Sequence, residues 1–254
     1  MATTKKEDYR DSHKNIGKGK EYDDSFFLSN YKGYIYQWEK KILQKIWSSN
    51  KPSKYLDFAC GTGRVTNLAK GYTSEIIGVD VSSSMLEVAK EKYPEIRFIE
   101  QDLTQSLDGL NQDFDAISTF RFFTNAQESL RIEAYQSLVK LLKPGGLLVF
   151  NLHMNSKSPF ALMARLYEKV FGKRKGFNHI DIDYMKRRIG LLDEFEILEI
   201  HAKGFLPVIR EGKIYPSFLF SLIDKLEYVL SVIPGYKSVC KYQIIVCKKK
   251  MDEA

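Results

Sequence analysis

The sequence predicts an α/β fold, a mostly parallel sheet with helices on both faces, and three observations predict it. Short apolar strands alternate with helical stretches from Tyr55 to Leu152, and such alternation builds a parallel sheet covered on both sides. Acids fall at successive strand ends, at Asp57, Asp80 and Asp102. A small-residue turn, Ala59-Cys60-Gly61-Thr62-Gly63, follows the first strand. Glycines at alternate positions let backbone run close to a ligand, since a residue without Cβ tolerates positive φ.

The elements follow in order. Met1 to Lys20 is polar and basic, so residues 1–21 read as a mobile basic arm. Residues 22–254 read as one domain. Ile35, Trp38, Ile42 and Ile46 recur at helical spacing. Strand Tyr55–Phe58 is followed by a helix across Val65–Ala69, and strand Glu75–Val79 by a helix that Ser82 to Ser84 cap. Ile96–Ile99 and Asp115–Phe120 are the third and fourth strands. Leu130, Ala134, Leu138 and Leu141 line a long helix. Lys143-Pro144-Gly145-Gly146 stops it and reverses the chain into strand Leu147–Leu152. Ser158-Pro159 then opens a helix with Met163, Leu166, Tyr167 and Val170 on one face. Phe195–Ala202 and Tyr242–Cys247 are two further strands. The amphipathic stretch between them, Leu219 to Leu230, reads as a helix over the sheet edge or cleft. Docking on a membrane surface is its second reading, which Asp224 and Glu227 weaken by interrupting the polar face.

Apolar residues make up 44% of 254 residues, enough for a sizeable core. The net charge of +7 favours anionic partners, although many lysines sit at the two ends. Three cysteines without CxxC spacing argue against a disulfide framework and against structural zinc. With no apolar run of signal-peptide or membrane-spanning type, a cytoplasmic location is expected.

The glycine turn alone does not identify its ligand. A dinucleotide fingerprint needs a third glycine where this chain has Thr66, and Asp57 ahead of the turn repels a pyrophosphate but suits a cationic amino group. Tyr55–Gly63, Ile77–Asp80, Gln101-Asp102-Leu103, Phe114–Phe120 and Leu142–Leu148 together resemble, in order and spacing, the motifs of class I S-adenosylmethionine-dependent methyltransferases. The likeness is to the small-molecule branch and covers Tyr55 to Leu152. It implies a three-layer Rossmann-like fold, a seven-stranded sheet with an antiparallel last strand, and a helical lid with elements at about 22–50 and 205–235. It implies S-adenosylmethionine as cofactor and S-adenosylhomocysteine as product. Asp57, Ala59, Gly61 and Gly63 would surround the methionine part, with Cys60 and Met85 in the same cradle. Asp80 would hold the ribose, although a helix cap is its other reading; Val81 and Leu103 would sandwich the adenine and Asp102 would bond its amine. Phe120 would touch the cofactor by its backbone. Ala59 departs from the family's usual glycine, which bears on cofactor affinity.

The resemblance further implies in-line transfer of a methyl group to an O or N nucleophile of a small-molecule acceptor, and Arg121 flanked by aromatic residues points to an anionic or aromatic one. An oxygen acceptor needs a base. His153, beyond the fifth strand, is either that base or a strand-end histidine bonded to backbone. Arg121 either clamps an anionic group or pairs with a neighbouring acid, and Tyr22 is a further candidate contact. RNA methylation and a non-catalytic, partner-binding module are the alternatives, motivated by charge and by Ala59. A peripheral membrane contact also fits the basic charge.

Overall fold

The computed structural model describes residues 9–11, 17–28, 30–111, 113–172, 179–206 and 214–251, with main chain only at 26–28. Seven strands form one sheet in the order β3-β2-β1-β4-β5-β7-β6. They are β1 (Lys54–Phe58), β2 (Glu75–Asp80), β3 (Arg97–Glu100), β4 (Phe114–Thr119), β5 (Leu142–Leu152), β6 (Phe195–Lys203) and β7 (Tyr242–Lys249). The first five pair in parallel, and β7 runs antiparallel to both β5 and β6. The predicted sheet is therefore present, and the strand order reverses between β1 and β4, the kind of switch point at which open α/β sheets bind ligands.

The helices are α1 (Lys18–Leu28), α2 (Asn30–Asn50), α3 (Ser83–Lys92), α4 (Glu128–Leu141), α5 (Pro159–Phe171), α6 (Ile182–Arg188), α7 (Leu191–Glu194), α8 (Ser217–Leu230) and α9 (Tyr236–Val239). Leu130, Ala134, Leu138 and Leu141 of α4 are buried under one sheet face with Leu56, Phe123 and Phe150. Leu43, Ile46 and Trp47 of α2 cover the other face, where Trp47 lies 5.0 Å from the Tyr55 ring. Two of the predicted caps form as read. Ser82 accepts from the Met85 N–H at 3.3 Å, and Ser158, ahead of Pro159, accepts from the Ala161 N–H at 3.1 Å.

Two local expectations are corrected. The helix predicted across Val65–Ala69 is a single 3-10 turn, Thr66–Ala69, and the backbone leaves the helical region at Lys70, at ψ 131°, ahead of Gly71 at φ +84°. The reversal at Lys143–Gly146 is instead a bulge inside β5. Leu142 pairs with Phe114 and Leu147 with Ala116, so four residues loop out, and Gly145 at φ +75° makes the loop possible.

Tyr9–Asp11 forms a 3-10 turn seated on the domain, and α1 begins at Lys18. Gly19 lets α1 approach α3 closely: a Cβ there would lie 2.1 Å from the Ser84 carbonyl oxygen, and the Gly19 N–H donates to Ser84 Oγ at 3.1 Å. The arm reading of residues 1–8 and 12–16, and residues 207–213 of the late lid, lie outside the described residues. Helix α8, within the stretch expected as a lid, packs on α2 through Tyr34 and Phe220, whose rings stack at 4.5 Å.

Candidate active site

At the end of β1 the Asp57 carboxylate is buried, with one oxygen accepting from Thr66 Oγ1 and the other from Ser118 Oγ, each at 2.6 Å. Ser118 also bonds the Tyr55 hydroxyl at 2.6 Å, so a polar chain links three elements beneath the glycine turn. Thr66, which replaces the third dinucleotide glycine, is thus what orients Asp57. Burial pushes the Asp57 carboxyl up to about 6, against the lowering effect of its two hydroxyl donors. At the end of β2, Asp80 accepts from the Gly61 N–H at 2.8 Å and the Ser82 N–H at 2.9 Å, and burial raises it as well. Asp80 thus ties the glycine turn to the residue that opens α3, while the cap of that helix is the Ser82 side chain.

Past β3, Asp102 accepts from the Thr104 N–H and hydroxyl through one oxygen and from Arg10 Nε, at 2.8 Å, through the other. Arg10 also donates to Thr104 Oγ1 at 2.7 Å and to Glu133. Tyr9 sits beside it, its ring 5.9 Å from Phe122 and its hydroxyl donating to the Arg121 carbonyl at 3.3 Å. The N-terminal segment therefore closes one end of the site. From α1, Asp23 accepts from Thr62 Oγ1 at 3.1 Å and pairs with Lys92, fixing the helix that carries Tyr22 over the turn.

A cavity of about 300 Å³ runs along these strand ends. Asp57, Ala59, Cys60, Gly61, Asp80, Val81, Met85, Asp102, Leu103 and Phe120 line it, and so do His153, Arg121 and Tyr22. Gly63 is the exception among the predicted residues. Its missing Cβ makes room for Phe98, whose ring would stand 2.9 Å away, so it serves packing behind the turn.

The acceptor end is built around a carboxylate the sequence did not single out. Glu39 of α2 is buried and lies 3.2 Å from Arg64 Nη1 and 3.8 Å from Arg121 Nη2. Asn151 donates to Glu39 at 3.2 Å and accepts from the Arg121 N–H at 2.6 Å. Arg121 itself sits at φ +60°, with its carbonyl accepting from Asn125 Nδ2 at 2.6 Å. The pairing with a neighbouring acid thus exists, while the guanidinium still borders the cavity. His153 lies nearby, and its Nδ1 has no hydrogen-bond partner among the described residues. Burial, reinforced by the positive charges of Arg121 and Lys241, holds this imidazole well below 6.5. Among the described residues no cluster of three or more His, Cys, Asp or Glu side chains is placed to hold a metal ion, and no helix is long and apolar enough to cross a membrane.

Residues 56–146 match the family of the methyltransferase domain. The chain is 36% identical over 202 residues to the ubiquinone/menaquinone biosynthesis C-methyltransferase UbiE of Campylobacter jejuni, covering 73% of this chain and 83% of that protein. It belongs to the class I S-adenosylmethionine-dependent methyltransferases. A putative methyltransferase of Bacillus subtilis, YqeM, is 30% identical over 189 residues, 72% of this chain and 69% of that one. Among solved structures, the magnesium protoporphyrin IX methyltransferase of Synechocystis PCC 6803 with bound S-adenosylhomocysteine superposes with a TM-score of 0.55 at 16% identity, over 86% and 84% of the two chains. That likeness concerns the fold.

As a methyltransferase of this family the protein uses S-adenosylmethionine, and the non-catalytic alternative falls away. The cavity's chemistry fits that cofactor. Two carboxylates, Asp57 and Asp80, face it with no ion pair among the described residues, and burial raises both. A cationic amino group and ribose hydroxyls are the partners that relieve those costs.

Proposed function

We propose that the enzyme transfers a methyl group to a small molecule bearing an ionisable hydroxyl on a ring, and that His153 is the base. When bound, the cofactor supplies a methyl group on a sulfonium sulfur. Asp57 and Asp80 would hold its amino-acid and ribose parts, Asp102 its adenine, with Val81 and Leu103 against the ring faces. The rest falls to the acceptor end of the cavity. The Glu39–Arg121–Asn151 cluster fixes that wall, and Phe120 and Met154 make part of it apolar. A neutral imidazole would take the hydroxyl proton, leaving a phenolate-like acceptor whose oxygen, or the ring carbon it activates, would receive the methyl group; the carbon route also requires that carbon to give up its ring proton. Oxygen or nitrogen is what the sequence suggests; carbon is what the name of the Campylobacter relative adds. An ionised hydroxyl serves oxygen and carbon attack alike, and amines need no such base.

The observation that carries this reading is His153: neutral, bordering the cavity, with an unpartnered ring nitrogen. Because its pKa is depressed, the base form persists through neutral pH. Its acid limb should lie below pH 6.5. The test is a methyl-transfer screen against hydroquinones, catechols and aliphatic amines, with NMR locating the added methyl. His153→Asn should lower turnover on hydroxylated rings by roughly 10²–10⁴-fold while leaving S-adenosylhomocysteine affinity within a factor of a few. Activity confined to amines or RNA, or an unaffected His153→Asn, would overturn the proposal.

A further inference from the structure

Two helices leave apolar faces uncovered. Of α5 only Ala161 is buried, while Leu162, Met163, Leu166, Tyr167, Val170 and Phe171 are exposed, Val170 by 70%. On α8, Phe218, Leu222, Leu226 and Val229 face outward, Phe218 by 70%. Exposed apolar surface in this amount marks an interaction site.

Both faces lie at the carboxyl end of the parallel strands, where the cavity opens. Helix α5 starts five residues after the cavity residue Met154, and its Phe160 ring lies 4.3 Å from Lys241 Nζ, just ahead of β7. Helix α8 joins the same end through Lys203, the last residue of β6, which pairs with Asp224. That pairing removes the sequence objection to a lipid partner. Asp224 is engaged by Lys203 and by the Tyr34 hydroxyl, and Glu227 is buried, accepting from the Gly204, Phe205 and Leu206 N–H groups. Neither acid is left to oppose an anionic surface.

We infer that α5 and α8 dock the enzyme on an anionic lipid bilayer surface, with the acceptor end of the cavity facing the headgroups. Charge selects the occupant. Among the described residues, α5 and its entry carry Lys157, Arg165 and Lys169 against the single acid Glu168, Lys157 being paired with Asp183, and the sequence directly after Gly172 reads Lys-Arg-Lys. A two-fold contact with a second copy sets the same patch against itself, and like charges would meet. Anionic headgroups match both the basic flank and an apolar face buried at the acyl boundary. The inference concerns where the enzyme works, and it holds whichever nucleophile the acceptor presents.

The experiment is co-sedimentation of the full chain with vesicles of phosphatidylcholine alone and of an equimolar mixture with phosphatidylglycerol. Preferential binding to the mixed vesicles, weakening as salt is raised, is expected. Leu166→Glu with Val170→Glu should reduce that binding at least tenfold and leave S-adenosylhomocysteine affinity unchanged, a readout that also confirms folding. Lys169→Gln with Lys225→Gln, which keeps the apolar faces, should reduce only the preference for the anionic mixture. Absence of binding to either vesicle overturns the inference. So does a concentration-dependent dimer, seen by light scattering, that the glutamate pair splits.

Discussion

The two ends of the cavity are built by different means. At the end expected to hold the cofactor each acid sits at or just beyond the close of its own strand and takes at least one bond from a group within ten residues, beside the longer reach of Ser118 to Asp57 and of Arg10 to Asp102. Asp57 takes Thr66, Asp80 takes Gly61 and Ser82, and Asp102 takes Thr104. At the acceptor end Glu39, Arg64, Arg121 and Asn151 come from α2, the glycine turn and the ends of β4 and β5. The first end is specified by local pattern and the second by tertiary assembly. Substitution should therefore damage fold stability at the acceptor end and ligand binding at the cofactor end.

The largest effect that would break this contrast is at Glu39. It is almost fully buried and compensates two guanidinium groups that are themselves largely shielded. Removing one partner of a buried pair leaves the other charges uncompensated, at a cost of about 3–5 kcal/mol. Glu39→Ala should lose that much stability in urea unfolding. A loss of less than about 1 kcal/mol, the usual worth of an exposed pair, would mean that solvent reaches the cluster and that the acceptor wall is looser than drawn.

Next in size is the pH dependence that Asp57 imposes. Its folded pKa of about 6 lies above the ordinary 3.8, so the folded state binds this proton more tightly than the unfolded chain. The resulting stabilisation is complete below pH 3.8 and is lost as pH rises through about 6. A shift of this size corresponds to on the order of 3 kcal/mol. Asp57→Asn should abolish that slope in the ligand-free enzyme between pH 4 and 7, followed by chemical unfolding against the parent chain. A ligand with a cationic amino group favours the ionised carboxylate. S-adenosylhomocysteine should accordingly bind more tightly above pH 6 in the parent chain, and an unchanged affinity across that range would detach Asp57 from the amino-acid end of the ligand.

The same contrast explains how much was legible in the sequence. The strand-end acids, the glycine turn and the sheet follow from spacing within a few residues, and all of them stand where they were expected. Glu39 was invisible because its partner Asn151 is 112 positions away. Read alone, it is one charge on an amphipathic helix. Arg10 on Asp102 was missed for the same reason, being 92 positions from its acceptor inside a stretch whose composition reads as a tail. His153 was legible as a candidate by position. Its missing partner and depressed pKa required the packing of Arg121 and Lys241 around it. Gly63 is a local pattern found by spacing, and the fold requires glycine there twice over, by a φ of +73° and by the Phe98 ring behind it.

The smallest effect is the sharpest probe of the cofactor end, and it concerns Ala59. Its backbone lies at φ +57°, nearly the same as the +56° of Gly61 two residues on, in a region that favours glycine. For an L-residue that conformation costs roughly 1–2 kcal/mol. Glycine removes the strain but loses about 0.5–1 kcal/mol more conformational freedom on folding. Ala59→Gly should therefore leave stability unchanged or raise it by up to about 1.5 kcal/mol, worth at most ~3–6 °C in Tm for a chain of this size. The methyl group also borders the cavity, so the two roles separate in calorimetry. Strain alone predicts a higher Tm with equal or tighter binding of S-adenosylhomocysteine. A lower affinity in the glycine variant would show that the alanine methyl is a contact surface for the ligand, kept in a strained conformation for that purpose.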